Sequence, residues 1–159
     1  MKTDKTVVMK LLDKRGITYT PYVYDCPTAL SAEELAVKLG KRNCEIFKTL
    51  VTVGKSGQHY VFILPAGTEL DLKKAAKSVN EKSIEMIKSK ELLPLTGYIH
   101  GGCSPIGMKK TFTTTIDDAC QDVPSITVSA GALGHQIELT LEELAKVIRF
   151  NIADIIVEA

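Results

Sequence analysis

The chain predicts an α+β fold, on three observations. Ile46-Phe47-Lys48-Thr49-Leu50-Val51-Thr52-Val53 and His59 to Leu64 are apolar, β-branched runs separated by Gly54-Lys55-Ser56-Gly57, the pattern of an antiparallel hairpin. Helical segments open on recognisable caps, Ser31-Ala32-Glu33-Glu34 and Thr140-Leu141-Glu142-Glu143. Strands are interrupted by helix pairs without the regular βαβ alternation of a doubly wound sheet.

In order, Thr3 to Arg15 carries Val7, Val8, Leu11 and Leu12 at helical spacing and stops before Gly16. Ile17 to Tyr24 reads as extended. The helix capped at Ser31 bears Leu35, Val37 and Leu39 and ends at Gly40. The hairpin follows, and after Pro65 two short capped helices are expected, Asp71 to Val79 and Ser83 to Lys90. The remainder predicts strands at Tyr98 to His100, Lys110 to Ile116, Ser125 to Ser129 and Gln136 to Thr140, then a helix from Thr140 to about Arg149. There is no internal repeat, low-complexity tract or linker.

The 159 residues, 45% hydrophobic and 25% charged, suit one globular domain over residues 1–159. A net charge of +1 gives no global basic field, so a nucleic-acid contact would have to be local, and non-specific DNA binding is not expected. No apolar run approaches a membrane span. Cys26, Cys44, Cys103 and Cys120 are scattered without a C-x-x-C pair, and Met1-Lys2-Thr3-Asp4-Lys5 lacks an apolar signal core, so a reduced cytoplasm is expected. His59, His100 and His135 have no i, i+4 spacing with one another, so no metal site is expected.

Two stretches stand out chemically. Gly101-Gly102-Cys103-Ser104-Pro105-Ile106-Gly107, followed by Met108, Lys109 and Lys110, is a loop in which backbone can approach a ligand and present N–H groups to a carbonyl or phosphate oxygen. The plainer reading is a connecting turn. Within the first strand of the hairpin, Lys48 shares a face with Ile46 and Leu50, and a cation there needs water, a partner or an anionic ligand.

These segments resemble the YbaK/EbsC group of aminoacyl-tRNA deacylases, which is related to the editing domain inserted in some bacterial prolyl-tRNA synthetases. The resemblance rests on Phe47-Lys48-Thr49-Leu50, Leu70-Asp71-Leu72-Lys73-Lys74-Ala75-Ala76, Thr96-Gly97-Tyr98 running into the glycine-proline loop, and Val128-Ser129-Ala130-Gly131 with Ile137-Glu138-Leu139. Order and spacing are kept over nearly the whole chain. The resemblance implies a mixed, largely antiparallel, barrel-like sheet surrounded by helices, and an enzyme that hydrolyses mischarged aminoacyl-tRNA without a cofactor. Cys-tRNA(Pro) is the substrate first implied. Alternatives are another small aminoacyl-tRNA such as Ala-tRNA(Pro), or a non-catalytic module that binds tRNA ends or a synthetase. Prolyl-tRNA synthetase is the further partner it suggests.

By the same resemblance, Lys48 binds the acceptor-end adenosine and phosphate, and Gly101 to Pro105, through Gly102, Cys103 and Ser104, hold the aminoacyl carbonyl region. Tyr24, Leu30, Thr49, Ser129 and Gln136 fall at pocket positions, although Tyr24 and Leu30 read equally as core. Gln136 stands where some members carry an acidic residue. Lys109 and Lys110 are expected to contact phosphates near the same mouth. An aminoacyl ester is already activated, so positioning and electrostatic stabilisation can suffice without a protein nucleophile. Cys103 beside His100 is the tempting nucleophile, but a small residue between Gly and Pro more often serves a tight turn. For a cysteinyl substrate the family is thought to use the substrate's own thiol.

Overall fold

The computed structural model describes residues 5–158. Helix α1 (Val7–Lys14) is capped by Thr6, whose hydroxyl accepts the Met9 N–H, and it buries Val8, Met9 and Leu12. The part of its expected start at Thr3 and Asp4 lies outside the described residues. Strand β1 (Thr20–Val23) leads to α2 (Ala32–Leu39), where Ser31 and Glu34 form the expected capping box and Gly40 closes the helix at φ +68°. A 3-10 turn, Asn43–Glu45, delivers the chain into β2 (Phe47–Gly54), which pairs with β3 (His59–Pro65) as the expected hairpin. Helix α3 (Leu72–Ser78) is capped by Asp71, whose carboxylate accepts the N–H groups of Lys73 and Lys74.

The next segment departs from the sequence expectation. Instead of a helix over Ser83 to Lys90, the chain forms β4 (Ile84–Met86) and then α4 (Ser89–Thr96). Edge pairing decides this: Ile84 is buried opposite Gly54, and Ser83 accepts the Lys55 N–H at 3.0 Å. Pro94 inside α4 hides that helix from a propensity reading. Tyr98 to His100 is irregular rather than a strand, because the Tyr98 N–H is drawn to the Thr96 hydroxyl at 3.0 Å. Then come β5 (Thr113–Asp117), starting later than expected, the 3-10 segment Asp118–Asp122, β6 (Ile126–Ser129) and β7 (His135–Leu139). Helix α5 (Leu141–Leu144) is shorter than expected, since the following N–H groups of Lys146 and Val147 bond three residues back. The three-residue β8 (Asn151–Ala153) was too short for a pattern.

The strands form two sheets. One is antiparallel in the order β1-β7-β6; the other runs β4-β2-β3-β5-β8, antiparallel across β4-β2-β3 and parallel across β3-β5-β8. A single bridge, Ile46 to Thr127, links them, so the barrel-like arrangement is not a closed hydrogen-bonded cylinder. Both sheets share one apolar core: Phe47, Val51 and Ile63 from one meet Val128, Ile137 and Leu139 from the other, under Val8 and Leu12 of α1. A smaller core, Phe62, Leu64 and Ala75, lies between the second sheet and α3. A third, Leu35, Ala36, Ile46 and Ala66, seats α2. Among the described residues no helix is long and apolar enough to cross a membrane.

Candidate active site

The register of the hairpin opens an edge. Gly54 donates its N–H to Gln58 O (2.8 Å) and Ala66 to Ile46 O (2.7 Å), so the even-numbered residues of β2 turn their backbone groups toward β3. Odd-numbered residues turn theirs the other way, where β4 pairs only with Thr52 to Gly54 and Ile87 reaches Val51 O at 3.4 Å. Thr49 therefore faces a gap between the bridge at Ile46 and the end of β4, where Met86 lies opposite Thr52. Its hydroxyl is buried and has no hydrogen-bond partner.

A cavity of 350 Å³ occupies this gap, within the range of small-molecule sites, roughly 300–1,000 Å³. Lys48, Gly101, Leu30, Thr49, Cys103, Ser129 and Gln136 all line it, so seven residues chosen from the sequence converge on one space. The wall facing them is the start of α2, Ser31 to Glu33 and Leu35, which the capping box holds rigid.

Lys48 is half-buried and donates from Nζ to the Thr68 carbonyl at 2.6 Å. Among the described residues it has no carboxylate partner. An ammonium has three donors, and a half-buried one with only a neutral acceptor favours an anion. Gly101 has φ +86°, and a Cβ there would sit 2.7 Å from that of Ala29 and 3.1 Å from Leu133 Cδ2. Only glycine lets the loop pass between those side chains.

The thiol of Cys103 is pushed up to about 12 by burial, with a bond to the Thr96 hydroxyl working weakly the other way. At neutral pH it is a protonated, apolar lining group rather than a thiolate. Gln136 is 5% exposed and its Nε2 donates to Tyr24 Oη at 3.2 Å, which puts Tyr24 behind Gln136 rather than on the lining. Burial raises the Tyr24 phenol, so it stays neutral, and its ring packs on the α2 core. Ser129 lines the cavity while its Oγ accepts the Gly131 N–H at 3.1 Å.

Three loop residues stand behind the lining. Gly102 gives its N–H to Ile99 O at 3.0 Å, and Ser104 is fully buried with its hydroxyl accepting from Ile106. Pro105 is buried and faces a different cavity, which Lys110 also lines. Lys109 is exposed, its stem beside Gly97. Neither lysine thus lines the cavity of Lys48 and Gly101, at whose mouth both were expected. Sequence reasoning did not assign Phe47, Leu50, Leu92 and His100, which also line it. Phe47 and Leu50 flank Lys48 and Thr49 directly, and that adjacency was the available signal. Among the described residues no group of three or more His, Cys, Asp or Glu side chains is placed to hold a metal ion.

Comparison with known proteins defines the class to which this fold and cavity belong. The model of the aminoacyl-tRNA editing domain matches residues 26–147. A protein of Enterococcus faecalis named "Putative Cys-tRNA(Pro)/Cys-tRNA(Cys) deacylase EbsC" is 43% identical over 152 residues, covering 95% of this chain and 93% of that one. Among solved structures, one described as "a putative trans-editing enzyme for prolyl tRNA synthetase" superposes with a TM-score of 0.81 at 25% identity, over 95% of each chain. A scaffold from a study of epitope grafting by computational design shares the fold at TM-score 0.81 and 24% identity, over 96% of each chain. The chain belongs to the aminoacyl-tRNA editing domain family, and it is an aminoacyl-tRNA deacylase.

Proposed function

We propose that this chain is a single-domain, free-standing enzyme that clears Cys-tRNA(Pro) in trans, in the cytoplasm, by hydrolysis of the aminoacyl ester. The observation that carries the proposal is that Lys48, an ammonium without a carboxylate partner, shares one cavity with Gly101 and with a Cys103 thiol that burial keeps neutral. The name of the E. faecalis relative supports the cysteinyl specificity.

In this reading Lys48 holds the phosphate at the acceptor end and Thr49 offers its unpartnered hydroxyl to the nucleoside or aminoacyl group. The backbone at Gly101 stands at the aminoacyl carbonyl. Leu30, Cys103, Ser129 and Gln136 shape the side-chain pocket, with Tyr24 fixing Gln136. Gly102, Ser104 and Pro105 hold the loop from behind. The substrate's thiol attacks its own carbonyl carbon; the ester C–O bond breaks, and the ribose oxygen leaves with the thiol proton. The resulting thiolactone opens in water. The protein supplies position and charge, and no base of its own is needed.

A panel of cysteinyl-, alanyl- and seryl-tRNAs tests this. Cys-tRNA should be cleared far faster than Ser-tRNA, because O-for-S exchange scarcely changes volume but greatly weakens the nucleophile. Equal rates on the two would move the mechanism to a positioned water. Fastest clearance of Ala-tRNA(Pro) would assign the sibling specificity, and binding without hydrolysis of any of the three would leave a non-catalytic module. Adding prolyl-tRNA synthetase to the same assay tests whether it is a partner.

A further inference from the structure

The loop that lines the substrate cavity with Gly101 and Cys103 runs on to line a second cavity, of 520 Å³, with Pro105, Gly107, Met108 and Lys110. The turn after α5, Ala145 to Arg149, forms the other wall. The charges lining this second cavity have one sign: Lys110, Lys146 and Arg149, all exposed, and no carboxylate. Lys146 pairs with Glu143 outside the lining, whereas Lys110 and Arg149 make no ion pair among the described residues. Arg15 donates to the Lys146 carbonyl at 2.8 Å and brings a fourth cation to the rim.

At Gly67 the substrate cavity meets a third cavity, of 570 Å³, with the opposite character. Six carboxylates line it, among them Glu69, Asp122 and Glu158, against a single cation, Lys74, that is already paired with Asp154. The net charge of +1 conceals this separation. In about 0.1 M salt a field decays within about 10 Å, so the local sign decides where a phosphate docks. An acceptor strand whose terminal nucleotide sits at Lys48 would be repelled along residues 67–69 and attracted along residues 103–110. Six residues of loop lie between Cys103 and Lys110, a reach of at most about 25 Å.

We infer that Lys110, Lys146 and Arg149, with Arg15 at the rim, form the track for the RNA phosphates that precede the terminal adenosine; this rests on the deacylase reading of the neighbouring cavity. The acidic cavity sets the direction by exclusion. The tRNA therefore leaves the site along the glycine-proline loop and over the turn after α5.

Binding of uncharged tRNA, followed by fluorescence anisotropy across a salt series, tests the track without hydrolysis. The Lys110→Ala/Arg149→Ala double variant should bind on the order of tenfold more weakly at low salt, and its salt slope should shrink by about 1.4, for two phosphate contacts on a single strand. Lys110→Arg/Arg149→Lys should restore both, and Glu69→Gln/Asp122→Asn should not weaken binding. Wild-type affinity and slope in the Ala double variant would overturn the inference, as would equal weakening by the acidic-cavity variant or no tRNA binding by the wild type. Parallel hydrolysis of Cys-tRNA separates the two readings. The expected binding pattern without hydrolysis removes the deacylase reading and keeps the track; hydrolysis with a binding pattern blind to Lys110 and Arg149 does the reverse.

Discussion

Lys48 and Cys103 occupy one cavity, and their surroundings assign them different work. Lys48 makes no ion pair among the described residues, so Lys48→Ala should slow single-turnover deacylation on the order of a hundredfold or more while the melting temperature holds. Lys48→Arg should rescue poorly, because a planar fork does not fit where a compact ammonium reaches the Thr68 carbonyl. A sharp fall in melting temperature with activity preserved would make Lys48 structural. Cys103→Ala should keep most of the activity, and the wild-type pH–rate profile should show no inflection from this thiol between about pH 6 and 9, since burial lifts it to about 12. A loss of several orders of magnitude in that variant would identify a protein nucleophile.

At the scale of elements, the wall made by α2 is anchored from behind by Glu138 of β7. Its carboxylate accepts from Ser125, from Tyr22 Oη at 2.6 Å and from Lys41 Nζ at 2.9 Å, just past the α2 C-terminus. The Ser125 and Tyr22 hydroxyls, then Lys41, hold the carboxyl down at about 2 against burial. A carboxyl depressed on folding contributes stability above its unfolded value, about 4.5, and that contribution is lost as pH falls toward 2. Glu138→Gln should therefore lower the melting temperature at pH 7 but far less at pH 2.5, so the wild-type and variant curves converge on acidification. Parallel curves would deny Glu138 this role. The sequence made the hairpin, the Ser31 capping box and the strand lysine legible, because each is a local pattern; at Thr140 only the hydroxyl cap forms, since the Glu143 carboxylate goes to the Thr18 N–H and Lys146 instead of closing the expected box. It did not reveal β4, whose three residues are set by pairing with the end of β2, nor α4, masked by Pro94. Leu30, Lys48, Gly101 and Ser129 could be picked out one by one. That Ser104 and Pro105 lie behind the loop while Phe47 and His100 line the cavity depends on how two sheets meet, which no local window carries.

At the scale of the molecule, the pairing of β1 with β7 sets Thr20 opposite Glu138, and β8 is the last strand to join the second sheet. A ribosome extends the chain at about 5–20 residues per second, so β1 waits several seconds for β7, its strand partner among the described residues. Over that interval Val8, Met9 and Leu12 lack the part of their shared core that β6 and β7 supply, Ile126, Val128, Ile137 and Leu139. Closing so long a loop comes before any reward from the contacts it makes. A chain stopped before Ile126 should accordingly show no cooperative melting and should bind a hydrophobic dye, and a native-like transition in that fragment would overturn the expectation. The enzyme thus acquires the cavity that Lys48 and Gly101 share and its folded state together, only after β6 and β7 in the final quarter of the chain have been made.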